Sequence, residues 1–169
     1  MTTQEIQDKF EELCNTPSDI NEHLPILREY ADKCEHITEM GVRGVVSTYA
    51  FLSSKAKRVV AIDILNVAVP DVEKLQFICA DDLQIEIEPT DFLFIDTAHN
   101  YRQCIQELNL HGKNVRKYIG FHDTQIFGEH GDDGDKGLMF AVNEYIEQNK
   151  EWTILYKTDV NNGLTIIGR

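Results

Sequence analysis

The run Phe92-Leu93-Phe94-Ile95-Asp96-Thr97-Ala98-His99-Asn100-Tyr101 ends an apolar segment on a carboxylate and puts an imidazole three residues further on, where a helix begins. A second run, Tyr118-Ile119-Gly120-Phe121-His122-Asp123, ends on another His and Asp. Two carboxylates and a histidine at neighbouring strand tips can hold a hard divalent cation such as Mg²⁺ or Mn²⁺ and leave positions open for substrate oxygens. Asp96, His122 and Asp123 are therefore the candidate metal ligands. His99, beside them, is the candidate general base, because an unperturbed imidazole with a pKa near ~6.5 suits removal of a proton from a hydroxyl that a metal has acidified. Taken singly, Asp96 reads equally well as a helix cap and His122 as a satisfied strand-end histidine. Only their joint placement points to a site.

A second constellation lies upstream, in His36-Ile37-Thr38-Glu39-Met40-Gly41-Val42-Arg43-Gly44-Val45-Val46-Ser47, followed 22 residues after Gly41 by the Asp63 that ends Val59-Val60-Ala61-Ile62-Asp63. It reads as a strand, a tight turn and a helix start, with Gly41 and Gly44 letting the backbone approach a ligand. The free amides of a helix N-terminus favour an anion, and a carboxylate at the next strand tip can accept from ribose hydroxyls. The spacing is Glu-x-Gly-x-x-Gly. The dinucleotide fingerprint Gly-x-Gly-x-x-Gly is not met, because Arg43 stands where its second glycine would approach a pyrophosphate. The pattern therefore favours S-adenosylmethionine (SAM), whose anionic end is a single carboxylate. A third strand, Phe77-Ile78-Cys79, leads into Ala80-Asp81-Asp82, where Asp81 or Asp82 is placed to accept from an adenine amino group.

These residues need a scaffold that brings strand ends together. Strands are expected near 36–40, 58–63, 75–79, 91–96 and 117–121, several as the apolar runs of a sheet buried on both faces. Helices are marked by Val45, Tyr49 and Leu52, by Tyr101, Cys104, Ile105 and Leu108, and by Leu138, Ala141, Val142, Tyr145 and Ile146. The reading is an α/β, Rossmann-like, doubly wound and mostly parallel sheet, in which ligands bind beyond the carboxyl ends of the strands. Trp152–Tyr156 and Leu164–Ile167, joined by a turn ending Asn161-Asn162-Gly163, predict a C-terminal antiparallel hairpin. Residues 1–35 read as a helical cover, with Thr16 capping a helix start, Pro17 in its first turn, and Pro25 kinking or restarting it. Between Asp63 and Leu75 there is room for little more than one helical turn.

At 169 residues the chain suits a single domain over 1–169. A net charge of −13 opposes binding to a polyanion, so nucleic acid is an unfavourable substrate. No apolar run is long enough to span a bilayer, and the polar start Met1-Thr2-Thr3-Gln4-Glu5 lacks the regions of a signal peptide, which together predict a cytoplasmic protein without membrane attachment. Cys14, Cys34, Cys79 and Cys104 show no Cys-x-x-Cys pairing and are expected to be reduced core thiols.

Glu39-x-Gly41-x-Arg43-Gly44-x-x-Ser47-Thr48, Phe94-Ile95-Asp96-x-x-His99-x-Tyr101 and Phe121-His122-Asp123-Thr124 resemble the small class I SAM-dependent methyltransferases related to the metal-dependent sugar and macrolide-glycoside O-methyltransferases, with cephalosporin hydroxylase-like proteins as further relatives. The resemblance spans about residues 16–169. It implies that SAM lies across Glu39 to Gly44, with its ribose on Asp63 and its adenine near Ala80 to Leu83, that Asp96 is among the cofactor-binding residues, and that the acceptor is a small molecule or a glycan. It further implies that a metal on Asp96 and Asp123 binds vicinal sugar hydroxyls, one of which His99 deprotonates, and that Phe127 to Gly137 forms part of the acceptor pocket or a lid. Catechol-type O-methyltransferases show the same spacing with a Lys where His99 stands. Such families complete the metal site with Asp-Asn or Glu-Asp, so His122 departs from their pattern. Metal-independent methyl transfer and a non-catalytic or oxygenase-like binding module are the alternatives.

Overall fold

A computed structural model describes residues 1–169. Seven strands form one sheet: β1 (His36–Met40), β2 (Arg58–Asp63), β3 (Leu75–Cys79), β4 (Thr90–Ile95), β5 (Val115–His122), β6 (Thr153–Thr158) and β7 (Leu164–Gly168). Their order across the sheet is β3-β2-β1-β4-β5-β7-β6. The first five are parallel and β7 runs antiparallel to both β5 and β6. Strand order reverses between β1 and β4, which is where such sheets open a crevice for ligands.

Period-two alternation decides what each face buries. On β4, Phe92 and Phe94 enter one core with Phe51 edge-on at 5.8 and 5.5 Å, while Leu93 and Ile95 enter the other with Cys104 and Leu108. The first core is covered by α1 (Thr3–Asn15), α2 (Leu24–Ala31) and α3 (Val46–Leu52), the second by α4 (Tyr101–His111) and α5 (Leu138–Gln148). Fully burying one such side chain contributes about 1.5–3 kcal/mol, so both faces hold the central strands firmly.

Three local expectations are revised. Thr16 ends α1 rather than starting a helix: its backbone is extended and its hydroxyl donates to the Glu12 carbonyl, while Pro25, not Pro17, sits in the first turn of α2. A Thr-Pro pair fits both ends of a helix, because proline tolerates the first turn and also follows helix stops. Val45 precedes α3 in the left-handed region (φ 61°) instead of lying on its face. Cys34 and Cys104 are buried thiols, but Cys14 is half-buried and Cys79 is exposed. Residues 64–74 form no helix and β3–β4 contains only a 3₁₀ turn at Asp82–Gln84, so the β3 edge is left partly uncovered. No helix is long and apolar enough to cross a membrane.

Candidate active site

A cavity of about 440 Å³ opens at the carboxyl ends of β2, β1 and β4, lined among others by Gly41, Arg43, Asp63, Ala80, Asp81, Asp82 and Asp96. Its volume lies in the range that takes a drug-sized ligand. Asp63 organises one wall. Its Oδ2 accepts from the backbone N–H of Val42 (2.8 Å) and Arg43 (3.0 Å), and its Oδ1 accepts from that of Leu65 (2.8 Å). Burial opposes its charge, yet these donors hold the carboxyl below its ordinary value.

Gly41 lines the cavity and is also required by the protein's own packing. It has φ +83°, and a Cβ there would lie 1.9 Å from the Asp96 carbonyl oxygen. Gly44 has no such constraint and does not line the cavity: a Cβ there meets only Val46 Cγ2, at 3.5 Å. Arg43 does line the cavity, with φ 35° and its guanidinium paired with Asp19 at 2.5 Å. Glu39 is not among the lining residues. It is fully buried and accepts from the hydroxyls of Ser47 and Thr48, anchoring α3 to β1. Burial, only partly offset by those two bonds, pushes its carboxyl up to about 8.

Across the crevice, Asp96, His99 and Asp123 each present a ligand atom, all within 4.8 Å of one another. His99 Nε2 lies 2.8 Å from Asp123 Oδ2 and 3.8 Å from Asp96 Oδ1, with its ring stacked on Phe127 at a centroid distance of 4.8 Å. Asp123 follows β5 with φ 59°, a conformation uncommon outside glycine that turns it back into the crevice. Its Oδ1 is buried and without a partner.

His122 stands differently from its expected place among the ligands. Nε2 meets the Asp19 carbonyl at 3.0 Å and Nδ1 meets Asp96 Oδ1 at 3.2 Å, so both ring nitrogens are engaged. Burial works against its charge, but Asp123 and Asp96 prevail and hold the imidazolium up to about 10. An imidazolium has no lone pair for a metal. His99 also departs from an unperturbed imidazole: its bonds to Asp123 and then Asp96 raise it to about 9. In return, although burial opposes their charge, the two histidines hold Asp96 and Asp123 below the carboxylate range.

Phe127 to Gly137 folds over this cluster. Asp132 N–H donates to the His99 carbonyl at 3.1 Å, the Asp132 carboxylate accepts from His99 N–H and Asn100 Nδ2, and Gly137 N–H donates to Glu129. The loop before α2 closes the other side, since Asp19 meets both Arg43 and His122 and His23 Nε2 meets the Asn161 carbonyl at 2.8 Å. Sequence reasoning missed Asp19, Thr97, Ala98, Gln103, Ile64 and Leu65. Position within the Asp96–Tyr101 run and one turn into α4 was a usable signal for Thr97, Ala98 and Gln103. Nothing local marks Asp19.

No family model matches the chain, and no curated protein matches it either. Solved structures do. A Corynebacterium glutamicum protein aligns at 12% identity over 98% of this chain and 88% of that one, with a TM-score of 0.68. A putative caffeoyl-CoA O-methyltransferase from Staphylococcus aureus aligns at 15% identity over 100% of this chain and 92% of that one, with a TM-score of 0.64. MycE methyltransferase of the mycinamycin biosynthetic pathway, solved with Mg, S-adenosylhomocysteine (SAH) and mycinamycin VI, aligns at 15% identity over 88% of this chain and 48% of that one, with a TM-score of 0.57. At these identities the likeness speaks for the fold, and the fold of this chain is that of the class I SAM-dependent methyltransferases.

Proposed function

We propose that this protein is a SAM-dependent O-methyltransferase, assisted by a divalent cation, which methylates a hydroxyl of a sugar, a glycan or a small glycosylated molecule. One observation carries the reading: the nucleoside-sized cavity and the Asp96–His99–Asp123 cluster share Asp96, so an activated acceptor would stand at the end of a cofactor laid along Asp63. Neighbours of the same fold described as O-methyltransferases, one of them holding Mg and SAH, support it.

The donor set fits a cation. Asp96 and Asp123 offer hard oxygens, and the buried, unpartnered Asp123 Oδ1 has free lone pairs. When bound, SAM supplies an electrophilic methyl group and the cation acidifies the acceptor hydroxyl. The chain's own work is positioning. Asp63 clamps the Gly41–Arg43 turn, the Gly41 contact sets that turn against Asp96, and Phe127 fixes the plane of His99. With Asp96 and Asp123 neutralised by the cation, His99 would give up the proton that its Nε2 holds toward Asp123, and that Nε2 would then take the acceptor proton. A second reading makes His99 a third ligand, because its Nε2 belongs to the same 4.8 Å cluster. The net charge of −13 favours uncharged acceptors over polyanions.

Calorimetric titration with SAM, SAH and NAD, followed by transfer of labelled methyl from SAM to a panel of glycosides with and without chelator, tests the proposal. We expect binding of SAM and SAH over NAD, and transfer that stops on chelation and returns with Mg²⁺ or Mn²⁺. Binding of NAD alone overturns the methyltransferase reading. Transfer undiminished after exhaustive chelation leaves a metal-independent methyltransferase.

A further inference from the structure

Beneath the Asp81–Asp82 wall of the cavity lies a polar network that methyl transfer does not use. Gln103, on the first turn of α4, lines the cavity. Its Nε2 donates to Asp82 Oδ1 at 3.1 Å and to Glu107 Oε1 at 2.9 Å. Glu107 is fully buried, also accepts from the Thr97 hydroxyl at 2.5 Å, and has an Oε2 with no partner. Both amide hydrogens of Gln103 are thus committed to acids, while its carbonyl oxygen accepts nothing within the protein and is not buried. Rotating the amide would turn that oxygen onto the Asp82 carboxylate, so a single orientation is held.

We infer that Gln103 is the base-reading residue of the cavity: its carbonyl oxygen accepts from the exocyclic amine of adenine, and Glu107 is the positioning residue that holds it there. The inference rests on the nucleoside reading of the cavity above. An amine at the purine 6-position donates to this oxygen, whereas the 6-oxo group of hypoxanthine or guanine would face it lone pair to lone pair. A site built to hydrogen-bond a donor rejects an analogue lacking it, because its own acceptor is then left unpaired. Burial and the neighbouring Asp82 charge push Glu107 up to about 8, so at neutral pH it holds Gln103 without adding a second negative charge beside the base.

Calorimetry on the whole chain with SAH and its 6-oxo analogue, S-inosylhomocysteine, tests this. The unaltered protein should bind SAH roughly 10–100-fold more tightly. Gln103→Met should bring the ratio to near unity by weakening SAH alone. Glu107→Leu should lower the ratio and Glu107→Gln, which keeps the acceptor for Gln103, should restore it. If Gln103→Met does not fold, the two Glu107 variants read the same ratio. A ratio unchanged in Gln103→Met assigns the base to Asp81 or Asp82 and overturns the inference, as does equal weakening of both ligands. An unaltered protein that binds SAH and its analogue equally overturns only this inference. One that binds neither overturns the nucleoside reading and takes the inference with it.

Discussion

Asp63 and Asp123 both stand at the carboxyl ends of strands of the same sheet, yet they are satisfied in opposite ways. Asp63 is held by three backbone N–H groups and leaves the turn it clamps fully built. Asp123 is held by His99 and His122, with one buried oxygen unpaired. Backbone amides do not titrate or swing away, so the wall proposed to take the nucleoside is already built. Histidines titrate, so the opposite wall is the one whose charge can change with its surroundings. On the proposed function, the contrast separates a binding half from a chemical half within one crevice.

The largest effect expected from breaking this contrast is on the chemical half. His99→Ala should lower kcat roughly 10²–10⁴-fold with SAM affinity retained, the loss expected of a positioned acid–base group. Direct titration with Mn²⁺ then sharpens the assignment: unchanged metal affinity makes His99 the base, and a matching loss of affinity makes it a ligand. His122→Ala frees Asp96 from its ring contact and should strengthen Mn²⁺ binding, since both ring nitrogens of His122 are engaged within the protein. Weaker metal binding in that variant would return His122 to the ligand set.

The two glycines probe the joint between the halves. Gly41→Ala forces a Cβ into the Asp96 carbonyl at positive φ and should cost roughly 2–4 kcal/mol in chemical denaturation, while also displacing Asp96 and depressing turnover. Gly44→Ala has open space and should stay within about 0.5 kcal/mol. Equal losses in the two variants would contradict the close approach at Gly41.

The effect smallest on turnover and ligand affinity concerns Glu39, beneath the Asp63 wall. Its carboxyl is raised from an ordinary 4.5 to about 8 in the folded state. Over that window the folded chain binds a proton that the unfolded chain has released, so stability falls as pH rises from about 4.5 to about 8. Glu39→Gln keeps an acceptor oxygen for one of the two hydroxyls and turns an amide N–H toward the other, which can accept, and it should flatten this part of the profile with SAM affinity unchanged. Denaturation midpoints at pH 5 and pH 8 read it directly. A Glu39→Gln protein whose profile matches the parent would remove Glu39 as the source.

How far the site could be read along the chain depended on whether a residue's direction follows from local geometry. Asp63 and Asp96 end apolar runs, and a strand end delivers its polar residue to the ligand edge whatever packs around it. Glu39 lies one residue earlier in β1. Alternation sends it to the face that carries Ile37 and α3, and that face could not be told from the other before the sheet was assembled. His122 and Asp123 are adjacent in sequence, but only the assembled sheet brings His122 to Asp96 and, with Asp123 at positive φ, brings Asp123 to His99.

By itself, then, the order of residues determined the strand runs, the terminal hairpin and the carboxylates at the strand ends, because hydrophobic period and chain punctuation are local properties. The tertiary structure alone decided that Gly41 abuts the Asp96 carbonyl, that Asp19 crosses to Arg43 and His122, and that Gln103 and Glu107 stand behind Asp82. Each of those contacts joins distant parts of the chain, and each charged state depends on burial and on partners that exist only once the sheet has closed.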